Sequence, residues 1–254
     1  MAIEEQPSKE VLSRLVEEAR ARGEDTVIIE ASPEVAAAWS RAGFSERARI
    51  LEAPVERLEV RLGEEKAPSF GSIHVQTDDV DAVARAVQQF VPRLPGNSRG
   101  SVVSQPRNGW VAVYDELGDR EPEMLRRLAR EISDRMGAVV LLLGAEEEQV
   151  VRFVLFERGR IVDEYLSVPE YFGELPPGDV IALQANPTVV SRLTGADPGD
   201  VRRVVRTAKS PDELPSSREL VGQVAAVMGV EGAEHGHTGA KGTPGGIAVP
   251  REAA

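Results

Sequence analysis

Between Lys9 and Arg22 the apolar residues Leu12, Leu15, Val16 and Ala19 fall at i, i+3, i+4 and i+7, the stripe of an amphipathic helix. Ser8 stands before the stripe as an N-cap and Gly23 follows as a stop, so the pattern predicts a helix over 9–22. TVIIEA (26–31) is a continuous apolar run of strand length, which predicts cover on both faces as in a parallel sheet. Ser32-Pro33 opens a second helix that Gly43 ends. FSERARIL (44–51) alternates Phe44, Ala48 and Ile50 with charged residues and reads as one half-buried strand. Pro54 then opens a helix with Val55, Leu58 and Leu62 on one side.

GEEKAPS (63–69) breaks the periodicity with charge, Gly and Pro, and reads as a linker. Beyond it the pattern predicts a strand at 69–76 and a helix at 79–91 carrying Val80, Val83, Ala84, Val87 and Phe90 on its inner face. A loop at 94–100 leads to strands at 101–105 and 110–116. A helix follows at 122–136 with Leu125, Leu128, Ala129 and Ile132 aligned, then a buried strand at 138–144. Two β-rich runs flanking Arg158-Gly159 make 150–166 a hairpin. The order suggests a mixed sheet with helices on one face. After 175 the texture changes to short helices near 179–184, 187–194, 198–207 and 216–228. Residues 231–254 are rich in glycine with almost no apolar period, which predicts a disordered tail.

The fold class is therefore α/β in the α+β sense. Residues 1–63 form a first segment; 69–230 form a second domain, with its sheet in 69–175 and a helical part in 176–230. A chain of 254 residues is long enough to bury such cores without metals or disulfides. It contains no cysteine, which excludes a thiol nucleophile and cysteine-ligated zinc and fits a reducing compartment. The opening MAIEEQPSKE lacks a basic stretch followed by an apolar one, so no signal peptide is expected. AVVLLLGA (138–145) is too short to span a bilayer. The expectation is a soluble cytoplasmic protein. A net charge of −12, from 42 acidic and 30 basic residues, makes nucleic acid and anionic membrane poor partners. Of three histidines, His74 stands alone and His235 and His237 lie in the tail, so no histidine-based metal or triad site is expected.

The helix SKEVLSRLVEEARARG, strand TVIIEA, helix PEVAAAWSRAGF and strand SERARILEAP succeed one another with a spacing that resembles the second half of a GNAT-type N-acetyltransferase, over residues 9–62. The resemblance implies descent from an acetyl-CoA-dependent enzyme. In that family a glycine-rich loop before the first helix holds the cofactor pyrophosphate on backbone N–H groups and the helix N-terminus. Here Gln6, Pro7 and Ser8 stand in its place, with Glu4 and Glu5 beside them. Proline lacks the donor, and only glycine permits so close a backbone approach. The family's helix pattern puts Ser32 at an asparagine position and Trp39 at the tyrosine that serves as general acid. An indole N–H does not release its proton at useful pH. The family's first half, with its acetyl-gripping strand, has no counterpart before residue 9.

Other constellations are weaker. GWVAVYDE (109–116) places Trp110 and Tyr114 on one face of a strand with Asp115 and Glu116 at its end, and Asp163, Glu164 and Tyr165 lie in the hairpin. A carboxylate pair for acid–base or metal work is one reading; a core Trp and Tyr with solvated strand-end charges is favoured. Tyr165, Tyr171 and Phe172 gather in YLSVPEYFGELPPGD (165–179), within a chain that is only 4% aromatic, so with Trp110 and Tyr114 they could line a groove. A lid over the sheet edge is the favoured alternative. GAEEEQ (144–149) lacks the spacing of a calcium loop and reads as a solvated turn. Residues 69–230 carry no motif that names a family.

The expectation is thus a GNAT-derived two-module protein, non-catalytic as it stands, with no catalytic residue, metal or cofactor, acting through binding or oligomerisation. Half a sheet leaves an edge that a second copy or another chain would cover. The alternative is an acetyl-CoA-dependent N-acyltransferase whose first half comes from a partner or from upstream sequence.

Overall fold

The computed structural model describes residues 2–3, 7–31, 38–47, 50–54, 69–90, 100–119, 121–240 and 245–250. The linker 63–68, the helix expected after Pro54, the loop at 94–99 and residues 32–37 of the second helix lie outside them. Two compact units divide the chain: 1–67 with 172–174, and 68–171 with 175–254.

In the first unit, helix α1 (Lys9–Arg22) starts at Ser8, whose Oγ accepts from Val11 N at 3.2 Å, and ends at Gly23 in the left-handed conformation, φ 69°. Its buried residues Val11, Leu15, Val16 and Ala19 meet Val27 and Ile29 of β2 (Thr26–Ala31). Trp39 and Phe44 complete that core, their rings 5.1 Å apart and nearly perpendicular. The strand expected over 44–51 is instead a hairpin of β3 (Ser45–Arg47) and β4 (Ile50–Pro54). The four-stranded sheet runs β1-β2-β4-β3, with β1 (Ala2–Ile3) parallel to β2 and the other pairs antiparallel. The two-sided burial expected of β2 is corrected as well: Val27 and Ile29 are buried, while Ile28 between them is 58% exposed.

The second unit is a seven-stranded sheet in the order β10-β9-β8-β5-β7-β6-β11. Its strands are β5 (Phe70–Gln76), β6 (Gly100–Val103), β7 (Trp110–Asp115), β8 (Val139–Glu146), β9 (Val150–Glu157), β10 (Arg160–Leu166) and β11 (Ile247–Pro250). The α+β class stands, but every described pairing in this sheet is antiparallel rather than mixed. Helices cover both faces, not one. On the first face, α2 (Val80–Phe90) and α3 (Pro122–Met136) pack Val83, Val87, Leu125, Leu128 and Ile132 onto Ile73, Val75, Val113, Val140 and Val154. After α4 (Pro177–Ala182), α5 (Pro187–Thr194), α6 (Pro198–Val204) and α7 (Ser217–Met228) cover Leu141, Leu143, Phe153 and Leu155 on the other face. Two apolar sides explain why β8 reads as an apolar run and β9 as one interrupted by Arg152.

The hairpin of β9 and β10 turns as expected at Arg158 (φ 51°) and Gly159 (φ 72°), the paired left-handed residues of a two-residue turn. The tail corrects the expectation most. Residues 237–240 form a helical turn, α8 (His237–Ala240), and β11 adds to β6 with Val249 buried. Its glycines serve close contact rather than looseness. A Cβ on Gly232 would lie 2.5 Å from the Tyr114 hydroxyl, and one on Gly236 would run into the Asp119 carboxylate. No described helix is long and apolar enough to cross a membrane.

Candidate functional site

The five aromatic residues considered for a groove are not brought together as one. Trp110 and Tyr114 share a face of β7, but three strands, β9, β8 and β5, stand between β7 and Tyr165 on β10. At ordinary strand spacing that separation is about 19 Å. Tyr165 is fully buried, stacks on Phe153 at 5.3 Å and donates to Arg206 O at 2.7 Å. Burial raises its phenol above the ordinary value. Trp110 is buried in the same apolar cluster, whereas Tyr171 and Phe172 are half-buried in the segment after β10.

The carboxylate pair does not form either. Asp115 is buried and spends its oxygens on Ser101 Oγ (2.7 Å) and Leu117 N (2.9 Å). Glu116 begins a 3-10 turn, Glu116–Asp119. Asp163 and Glu164 lie across the sheet from Asp115 and, as successive residues of β10, project to opposite faces. Asp163 accepts from Asn186 N, the cap of α5, at 3.0 Å; burial pushes its carboxyl up to about 6, against the lowering effect of that bond.

What the fold does assemble is a cluster the sequence kept apart. Ser72 and His74 point to the same face of β5, both buried, with Ser72 Oγ and His74 Nε2 sharing a hydrogen bond of 2.9 Å. In the register of β5 and β7, His74 lies opposite Ala112, a neighbour of Tyr114 along the same face. The C-terminal segment closes over them. His235 stacks on Tyr114 at 5.0 Å, and the Tyr114 hydroxyl donates to Gly232 O at 2.9 Å. Asp119 accepts from His237 N (3.1 Å) and Thr238 N (3.2 Å). Burial, aided by the nearby charge of His235, lowers the His74 imidazole to about 3, so it is neutral at pH 7. Tyr114 is pushed up to about 12, by burial first and by Glu234 second. The buried His237 holds its Nδ1 without a hydrogen-bond partner among the described residues. The expectation that His74 stands alone is thereby corrected. Ser72 and His74 are sealed beneath the segment, so the Ser–His contact is not open to a substrate. Among the described residues no group of three or more His, Asp or Glu has the placement to hold a metal ion.

The opposite face carries a chain of charges. Arg126 of α3 grips Glu164 with two hydrogen bonds of 2.8 Å, and Arg152 Nη1 reaches the same carboxylate at 2.9 Å. Arg152 Nε also forms an ion pair with Glu146 Oε1 at 2.6 Å. Glu146 is therefore not part of a solvated turn: its side chain is 16% exposed, and burial raises its carboxyl pKa against the pull of Arg152. A cavity of about 20 Å³ beside this network, under the first turn of α3, has room for little more than a water molecule.

In the first unit, Ser8 caps α1 and Trp39 is fully buried against Phe44. Gln6 and Ser32 lie outside the described residues. The one sequence signal for the histidine cluster was available in β5, where Ser72 and His74 interrupt the apolar run from Phe70 to Val75. No protein-family model matches the chain, and neither a curated protein nor a solved structure does.

Proposed function

We propose that the protein is a two-module binding protein of N-acetyltransferase descent, non-catalytic as it stands, whose first unit engages another chain through the side of β2 that carries Ile28. The carrying observation is Ile28, 58% exposed in the middle of β2 while its neighbours Val27 and Ile29 are buried with α1. β1 pairs with β2 only at Glu30 and Ala31, so among the described residues Thr26 to Ile29 have one edge without a strand beside it. An open edge next to an exposed branched side chain favours association. A second copy of this chain is the simplest partner. Ser8 supports the non-catalytic half, because its Oγ occupies a helix-start N–H where the family resemblance implies a pyrophosphate, and Glu10 adds negative charge in the first turn. A cytoplasmic location fits a chain without cysteine.

One observation favours a second reading. The order α1, β2, helical residues at 38–41 and β3 agrees with the family resemblance, so an acetyl-CoA-dependent N-acyltransferase completed by a partner is the alternative. In sedimentation velocity the parent chain should run as a dimer and Ile28→Lys as a monomer of unchanged circular dichroism. Calorimetric titration with acetyl-CoA should give no binding in the micromolar range; binding there, with acetyl transfer, would favour the alternative.

A further inference from the structure

A cleft of about 390 Å³ runs along the outer side of α3, within the size range of small-molecule sites, roughly 300–1,000 Å³. Arg127, Arg130, Glu131 and Asp134 line it from one stripe of the helix, with Phe90 at the end of α2 and Gly159 at the β9–β10 turn. Pairing within the stripe is uneven. Glu131 is taken by Arg135, Oε2 to Nε 3.6 Å, in the acid-first i,i+4 order that helices favour. Arg135 also donates to Gln89 Oε1 at 2.8 Å, which ties the end of α2 to α3. Arg127 is thus left without Glu131, its own i+4 carboxylate. Neither Arg127 nor Arg130 makes an ion pair or side-chain hydrogen bond among the described residues, in a chain of net charge −12. At the turn, a Cβ on Gly159 would lie 2.7 Å from Asp134 Cβ, so the glycine lets the Asp134 side chain lie directly against the turn.

We propose that this cleft binds a mononucleotide. The two guanidiniums supply planar forks that match phosphate oxygens, Phe90 supplies a ring face on which a base stacks, and Asp134 accepts from ribose hydroxyls. The site belongs to the second unit and stands or falls independently of the reading of the first.

The test is calorimetric titration of the full chain at low salt with three probes: adenosine monophosphate, inorganic phosphate and adenosine. The monophosphate should bind more tightly than either component. The double variant Arg127→Gln/Arg130→Gln should weaken both the monophosphate and phosphate by about tenfold or more and flatten the salt dependence. Both arginines are exposed, so the variant should melt like the parent. Phe90→Leu, chosen because Phe90 also packs on the core, should leave phosphate binding intact and narrow the advantage of the monophosphate. Absence of monophosphate binding, a monophosphate no tighter than phosphate, or binding unchanged in the double variant would each overturn the proposal.

Discussion

Beneath α3 the large sheet holds Glu146, Arg152, Glu164 and Arg126, half-buried, as a linked series of opposite charges; on its other face it buries Ser72, His74 and Tyr114 under His235 with no ion pair among them. The first group keeps its charges by supplying each with a partner. The second avoids charge: the imidazole of His74 stays deprotonated and the phenol of Tyr114 stays protonated across the neutral range. The difference teaches that one sheet can bury ionisable groups by pairing or by neutralisation, and that the two respond oppositely to perturbation. Pairing fails when a partner is removed; neutralisation fails when the pH moves.

The largest effect is expected from Arg152→Leu, which strands Glu146 and leaves Glu164 to Arg126 alone. Removing one member of a largely buried ion pair costs about 3–5 kcal/mol, read by urea denaturation at pH 7. Adding Glu146→Gln to that variant should recover part of the loss. A cost under about 1 kcal/mol would place the network with ordinary surface pairs and erase the contrast between the faces.

Next comes acid sensitivity through His74. Its imidazole sits at about 3 in the folded chain against 6.5 ordinarily, so on acidification the unfolded chain takes up the proton first. Stability is full above about 6.5 and falls between there and about 3, with a slope of up to about 1.4 kcal/mol per pH unit. His74→Gln, which still offers Ser72 a hydrogen-bond partner, should flatten that slope in urea midpoints taken at successive pH values. An unchanged slope would mean that the neutral cluster does not govern acid stability.

Gly236→Ala tests the cover over the neutral cluster. Its new Cβ would run into the Asp119 carboxylate that holds His237 N and Thr238 N, at a cost of about 1–3 kcal/mol. Limited proteolysis should then clip the C-terminal segment faster than in the parent; equal rates would mean that the segment is held elsewhere, at β11.

The smallest effect is assigned to Asp163. With its carboxyl raised from 3.8 to about 6, the folded chain holds the proton longer than the unfolded one. Its contribution is present below about 3.8 and lost as pH rises through about 6, the opposite sign to His74. The full shift corresponds to about 3 kcal/mol, which solvent screening reduces to about 1 kcal/mol, and Asp163→Asn, which keeps an acceptor for Asn186 N, should remove that pH dependence. A change of the same sign as in His74→Gln would contradict the assignment.

By itself the sequence determined what acts over a few residues. Helix α1 between Ser8 and Gly23, helix α3 before Gly137, and the turn at Arg158-Gly159 follow from caps, a 3.6-residue period and paired left-handed positions. The α+β class follows from their order. The sequence also marked Trp110 and Tyr114 as core residues by the favoured reading, and the structure buries both. Tertiary structure decided the rest. Charged residues between Phe44 and Pro54 suited one strand as well as two, and only the pairing of β3 with β4 fixed the hairpin. A single apolar run could not say whether Ile28 would be covered, because cover comes from other elements. Glycines at 232 and 236 read as looseness along the chain, yet they are the places where Tyr114 and Asp119 come too close for a side chain. His74 meets His235 because β11 fastens the C-terminal segment to β6, at the opposite end of the second unit's sequence from β5. Local rules reach one helical turn or one β-turn; strand pairing and close contact join residues whose separation along the chain no periodicity records.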